Sequence, residues 1–305
     1  LIFNSKKYSE ETEKNRIASS SDPSTFNMIS LGLLATFAPS RWILRLRKLS
    51  VDNFATINPI LQKQCPIIYI HGFRGGAYTT QVMVDEVCKL KHDSHYLRVI
   101  MDLSGKVTFE GEWTSDKHPI IQLVFRQRII GKKGINYYLS RLLPLLKSQF
   151  HFDNYYAVAH SLGAPAIIDT QMRYAKNAKF PQLKKVALIA GPFNGVTYLG
   201  DIPNVNIMGE KGYPLAMNLT YLHFLHQRKR FSSHIQVLNI YGNILDETNT
   251  DKFISVVSAK SIRYILAPQL DYYQEVEVRG AMAEHSQMHD EPFVINIINH
   301  FLGLK

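Results

Sequence analysis

Residues 156–165, Tyr156-Ala-Val-Ala-His160-Ser161-Leu-Gly163-Ala-Pro165, carry an apolar strand pattern into a small-x-Ser-x-Gly turn and on into helix-forming sequence. In a strand-to-helix turn of this kind the serine takes a sharply bent backbone position. Small residues two before and two after it let strand and helix approach closely. Ala159 and Gly163 meet that demand. The five-residue pattern alone arises often by chance, so its weight comes from context. The apolar, aromatic stretch 154–158 follows a turn-like Phe152-Asp153-Asn154, and residues 164–175 favour helix.

The pattern repeats outward. Pro66-Ile-Ile-Tyr-Ile70 reads as a strand ended by the loop His71-Gly72-Phe73-Arg74-Gly75-Gly76, and a helix fits 79–90. Residues 96–103 supply the next strand, closed by Asp102-Leu-Ser-Gly105. Residues 107–113 suggest a hairpin built on a Glu-Gly turn. The apolar spacing of Ile135, Leu139, Leu142, Leu143 and Leu146 predicts an amphipathic helix that Pro144 should kink or divide. Strands at 185–190, 235–241 and 272–278 alternate with helices at 254–266 and 293–302, the last with Pro292 in its first turn. Residues 199–233 lack a strand signal and are rich in Met, Tyr, Leu and Phe. This insertion is expected either to cap a binding site or to add a core helix. Strands alternating with helices imply a mostly parallel sheet with helices on both faces, and ligands bind such sheets beyond the strands' carboxyl ends.

Ser161, the glycine-rich loop 71–76, Asp246 with Asp251, and His285 with His289 all follow strands, so all belong at that edge. A serine hydroxyl becomes nucleophilic when an imidazole takes its proton, and a carboxylate fixes that imidazole's tautomer and stabilises its cation. Two backbone N–H groups aimed at the developing oxyanion complete the apparatus. Leu162 at the helix start and Phe73 after His71-Gly72 are the candidates.

Composition bounds the alternatives. The chain has 305 residues, 46% of them hydrophobic, enough for a substantial core. Its 35 Lys and Arg against 25 Asp and Glu give a net charge of +10, suited to an anionic surface. The basic residues are scattered, densest at 41–48 and 228–230, with no nucleic-acid module beside them, so nucleic acid is not the expected partner. Two cysteines, Cys65 and Cys88, make no disulfide framework and read as buried thiols. His223, His226 and His234 lack the pattern of a metal site.

The first fifty residues differ in character: a charged stretch 1–17, a linker at 19–24, the apolar run 26–38 and basic residues at 41–48. The run is shorter than the roughly 20 residues of a membrane span. Ala35-Thr-Phe-Ala38 approximates a signal cleavage site, and residues 42–49 form a candidate membrane-surface helix. The expected division is an N-terminal extension, 1–50, and one α/β domain, 51–305. Contact with a membrane surface through 26–48, and a cell-surface or membrane-associated location rather than a cytoplasmic one, are the corresponding expectations.

The segments Ile70-His-Gly-Phe73, Ala159-His-Ser-Leu-Gly163, Ile240-Tyr-Gly242 with Asn249-Thr-Asp251, and Glu284-His-Ser-Gln-Met288 together resemble a family of uncharacterised α/β-hydrolases, often labelled cell-surface hydrolases of Gram-positive bacteria. The resemblance covers about residues 60–305. It implies an α/β-hydrolase fold, a Ser-Asp-His triad and no cofactor. Within it Asp251, followed by Phe253 and Ile254, is the expected acid and Asp246 the alternative. His285, set before Pro292 and Phe301 as in many such enzymes, is the expected base and His289 the alternative. His71 and His160 fall to structural support. The sequence departs twice: Ala159 stands where glycine is usual, and Asp251-Lys-Phe-Ile replaces Asp-Gly-hydrophobic. The implied activity is cleavage of an ester or another small acyl compound through an acyl-enzyme; the alternative is a hydrolase-fold binding protein without catalysis.

Overall fold

The computed structural model describes residues 48–52 and 63–304. Strand β2, Ile67–Ile70, is buried at all four positions. Ile67 and Tyr69 project into one apolar layer and Ile68 and Ile70 into the other, the two-residue alternation of a strand covered on both faces. Around it the strands are β1 (Ser50–Asp52), β3 (Leu97–Met101), β4 (Lys106–Gly111), β5 (Ile120–Phe125), β6 (Asn154–His160), β7 (Gln182–Ile189), the short pair β8 (Val196–Thr197) and β9 (Gly200–Asp201), β10 (Gln236–Asn243) and β11 (Tyr273–Arg279). Nine of them form one sheet in the order β1-β4-β3-β5-β2-β6-β7-β10-β11. Every neighbouring pair in it is parallel except β3–β4.

The helices are α1 (Ala77–Lys91), α2 (Lys132–Phe150), α3 (Gly163–Tyr174), α4 (Leu219–Gln227), α5 (Val256–Lys260), α6 (Ile262–Leu266) and α7 (Pro292–Leu302). Met83, Val84 and Val87 of α1 and Val294, Ile298 and Phe301 of α7 cover one face. Leu139, Leu142 and Leu146 of α2, Ile167 and Ile168 of α3, and Ile262 and Ile265 of α6 cover the other. The doubly covered α/β-hydrolase sheet is the fold expected from the sequence. Among the described residues no helix is long and apolar enough to cross a membrane. Of the segment 26–48, expected to touch a membrane surface, residues 26–47 lie outside the described residues, and the expected division at residue 50 falls at the start of β1.

Three local expectations are corrected. Residues 106–111 form one strand rather than a hairpin; the hairpin joins β3 to β4 through the turn 102–105. There Asp102 Oδ1 accepts from Lys106 N–H at 3.0 Å and from the Ser104 hydroxyl at 2.6 Å, and Gly105 sits at φ +93°. Gly111 meets a different need, since a Cβ there would lie 2.2 Å from the Tyr96 carbonyl oxygen. Of the two outcomes expected at Pro144, a kink or a division, division does not occur: α2 runs unbroken through it. Buried Leu139, Leu142, Leu143 and Leu146 flank it, and their packing offsets the roughly 3 kcal/mol that an interior proline costs. The stretch 254–266 is two short helices separated at Ser261 rather than one. Cys65 and Cys88 are both free thiols.

Candidate active site

The turn after β6 places Ser161 at φ +53°, the left-handed region that non-glycine residues enter under constraint. Its N–H donates to the Ile189 carbonyl at 2.8 Å, so β7 holds the bend. Gly163 must be small, because a Cβ there would lie 2.9 Å from the His71 carbonyl oxygen and 3.0 Å from that of Ile70. Two positions before the serine, Ala159 is wholly buried and fits in place of glycine.

The loop after β2 runs directly against this turn. A Cβ on Gly72 would stand 2.7 Å from Ser161 Cβ and 2.9 Å from Leu162 N. His71 sets the orientation of the loop's next peptide. Its Nε2 accepts from the Phe125 N–H at 3.0 Å, so the ring proton resides on Nδ1, which donates to the Gly72 carbonyl at 3.0 Å. Burial lowers the His71 pKa from 6.5 to about 4, which keeps that tautomer neutral. The Gly75 N–H also donates to the Gly72 carbonyl, at 3.2 Å. In a trans peptide the N–H points opposite to the C=O, so the Phe73 N–H faces away from His71.

Asp251 and His285 arrive from the loops after β10 and β11. Asp251 is 1% exposed; its Oδ1 accepts from the N–H groups of Phe253 at 2.9 Å and Ile254 at 2.6 Å. Its Oδ2 lies 2.8 Å from His285 Nδ1, and His285 Nε2 lies 3.0 Å from Ser161 Oγ. With Nδ1–H donating to the carboxylate, Nε2 is the nitrogen free to accept the serine proton. The backbone of His285 is held at both ends. Its N–H donates to the Asp251 carbonyl at 2.9 Å, and its carbonyl accepts from His160 Nε2–H at 3.1 Å. Burial, and then the neighbouring His285 and His289, hold His160 well below the usual histidine range, so it remains a neutral donor. Gly242 at the end of β10 makes room for this arrangement: a Cβ there would meet the Ala283 carbonyl oxygen at 2.3 Å and Asp251 Cβ at 3.1 Å.

The structure thus brings Ser161, Asp251 and His285 together, with Phe73 and Leu162 beside the serine. The two alternatives stand apart. Asp246 is exposed and accepts from the Thr248 N–H at 2.9 Å and hydroxyl at 2.5 Å. His289 Nδ1 lies 2.7 Å from Asp290 Oδ1, and its ring packs edge-on against His160 with centroids 4.8 Å apart. Two contributions escape sequence reasoning. Phe253 packs its ring against His285 with centroids 5.4 Å apart, and His160 grips a carbonyl 125 positions away. A histidine beside the serine was the visible signal for the second; its partner was not. Among the described residues no group of three or more His, Cys, Asp or Glu is arranged to hold a metal ion.

The chain is similar over 79% of its length to a structure of the lin2722 gene product of Listeria innocua, at 28% identity, covering 94% of that chain with a TM-score of 0.72. It is also similar to a suggested cell surface hydrolase of Lactobacillus plantarum WCFS1, at 20% identity, covering 79% of this chain and 93% of that one with a TM-score of 0.64. No curated protein sequence matches. A family model matches residues 55–304. By that match, which spans most of the sequence and the whole of the site, the chain belongs to the family of alpha/beta hydrolases of unknown function, DUF915.

Proposed function

We propose that the protein is a serine hydrolase that cleaves an ester or a related acyl compound through a covalent acyl-enzyme. The observation that carries this reading is the unbroken hydrogen-bonded relay from Asp251 through His285 to Ser161, with the serine strained at φ +53°. Ser161 Oγ attacks the carbonyl carbon as its proton passes to His285 Nε2, and Asp251 stabilises the imidazolium so formed. The carbonyl oxygen becomes an oxyanion that accepts hydrogen bonds from the Phe73 and Leu162 N–H groups. Collapse of the tetrahedral intermediate breaks the bond to the leaving group, which takes the proton from His285. Water then attacks the acyl carbon with His285 as base; collapse breaks the bond to Ser161 Oγ, which takes the proton back from His285, and the carboxylic acid leaves. Similarity to the Lactobacillus plantarum protein described as a cell surface hydrolase supports a cell-surface location, which protease accessibility on intact cells tests.

Hydrolysis of short p-nitrophenyl esters tests the chemistry. The Ser161→Ala protein should lose turnover by a factor of about 10³ or more while keeping the parent melting temperature. Unchanged turnover in a folded variant overturns the assignment.

A further inference from the structure

Arg74, next in the chain to Phe73, stands at φ +56°, in the left-handed region where a side chain stays only when its surroundings hold it. Its side chain is exposed, so burial of that side chain does not hold it. One residue of the loop after β5 does. The Arg74 N–H donates to the Arg128 carbonyl at 2.7 Å. The Arg74 carbonyl accepts from the Arg128 guanidinium twice, from Nη2 at 2.7 Å and from Nε at 3.1 Å. Arg128 therefore closes on both backbone polar groups of the strained residue.

The grip extends along the loop. Arg128 Nε also donates to the Gly75 carbonyl at 3.1 Å, and Nη2 to the Tyr78 hydroxyl at 3.0 Å. That hydroxyl in turn donates to the Arg74 carbonyl at 2.7 Å, and the guanidinium lies over the Tyr78 ring, 5.4 Å from its centroid. One planar fork of fixed N–H donors thus ties acceptors at 74, 75 and 78 together.

Phe73 is caught between two fixed peptides. The one before it is oriented through the Gly72 carbonyl, which accepts from His71 Nδ1–H and from the Gly75 N–H. The one after it is oriented by Arg128 through the Arg74 N–H. Gly75 joins the two. Its N–H serves the first peptide, its carbonyl is held by Arg128, and a Cβ on it would meet His71 Nδ1 at 2.8 Å. Burial is the main cause of the low His71 pKa, and the Arg128 charge lowers it further.

We propose that Arg128 is a positioning residue for the oxyanion: by holding Arg74 in the left-handed region it aims the Phe73 N–H at the carbonyl oxygen of the group that Ser161 attacks. This role rests on the proposed acyl chemistry and adds to it a residue outside the triad and the two donor peptides. Charge alone does not supply it, since a lysine ammonium is a point donor without the fork. A misplaced oxyanion donor weakens the transition state far more than the substrate complex, so the effect belongs in kcat.

Hydrolysis of a short p-nitrophenyl ester by the full chain, together with inhibition by an alkyl trifluoromethyl ketone, tests the role. Ser161 Oγ adds to the ketone carbon as its proton passes to His285, which leaves a tetrahedral oxyanion like that of the transition state. Arg128→Ala keeps the backbone bond from Arg74 and removes the fork. It should lower kcat by about 10- to 100-fold with KM within about twofold, and weaken the ketone by the same factor as kcat/KM. Arg128→Lys, which keeps the charge, should show the same pattern, and it carries the test if the alanine variant fails to fold. Rates are expressed per site titrated with a fluorophosphonate, so a variant that is merely less stable keeps the parent kcat and the parent ketone affinity. The proposal is overturned if either folded variant matches the parent in both, or if KM alone rises. A parent that neither hydrolyses ester nor takes the label sinks the acyl chemistry and this role with it, whereas an active parent beside unchanged variants sinks the role alone.

Discussion

The serine turn and the acid turn each hold a non-glycine residue in the left-handed region, Ser161 at φ +53° and Lys252 at φ +82°, and they differ in everything around it. Ser161 is wedged: Gly72 and Gly163 press their backbones against the turn, Ile189 holds its N–H, and the strained residue is the proposed nucleophile. Lys252 is exposed, its N–H donates to Thr250 Oγ1 at 3.0 Å, and its neighbour Asp251 is the proposed acid. The resemblance leads one to expect glycine at 252, and φ +82° supplies the reason. At Ser161 strain turns the proposed nucleophile out of the strand; at Lys252 it is the local cost of a side chain where glycine fits.

The contrast can be broken at several points. Asp251→Asn should lower kcat for a short ester by about 10⁴-fold, because the amide no longer fixes the His285 tautomer, whereas Asp246→Asn should leave kcat unchanged. Equal losses at the two positions would remove the distinction between the acid loop's buried and exposed carboxylates.

Acid should act next, through the loop that abuts the serine. His71 titrates at 6.5 in the unfolded chain and at about 4 in the folded one. Between those values the unfolded chain holds a proton that the folded chain does not. Stability is therefore full above pH 6.5, falls as the pH drops toward 4 and then levels, a loss of roughly 3 kcal/mol from this residue alone. His160 is shifted in the same direction and adds to the fall. Melting temperatures at pH 7 and pH 5 should converge less in the parent than in His71→Gln; an identical decline in both would show that His71 is not held neutral.

The smallest effect belongs to Lys252→Gly. Relief of the left-handed strain, roughly 1–2 kcal/mol, outweighs the roughly 0.5–1 kcal/mol of chain entropy that glycine adds to the unfolded state. Urea denaturation should show a gain below about 1 kcal/mol with kcat unchanged. A loss of stability would mean that the Lys252 side chain contributes a contact that outweighs the strain.

The same contrast explains what could be read from the sequence. Ser161 was legible because its constraint is local: small residues at 159 and 163 sit within one turn of the chain. The parallel sheet was legible for a similar reason, since apolar runs such as Ile67–Ile70 announce strands covered on both faces. Asp251 and Asp246 both follow β10, and no periodicity separates them. What separates them is the pair of N–H groups of Phe253 and Ile254 turned onto one carboxylate, together with His285 arriving from the next loop. The His160 grip on the His285 carbonyl and the Arg128 grip on the loop 74–78 are equally nonlocal. The hairpin expected over 107–113 fails because Gly111 has two readings, a turn or a close backbone approach, and only the position of the Tyr96 carbonyl decides between them.

Ser161 is proposed to be a nucleophile activated by His285 and Asp251. Labelling with a fluorophosphonate, followed by peptide mass spectrometry, tests it most directly. One covalent adduct is expected, on Ser161, formed rapidly by the parent, slowly by Asp251→Asn and not at all by Ser161→Ala. A folded parent that takes no label, or takes it elsewhere, would contradict it.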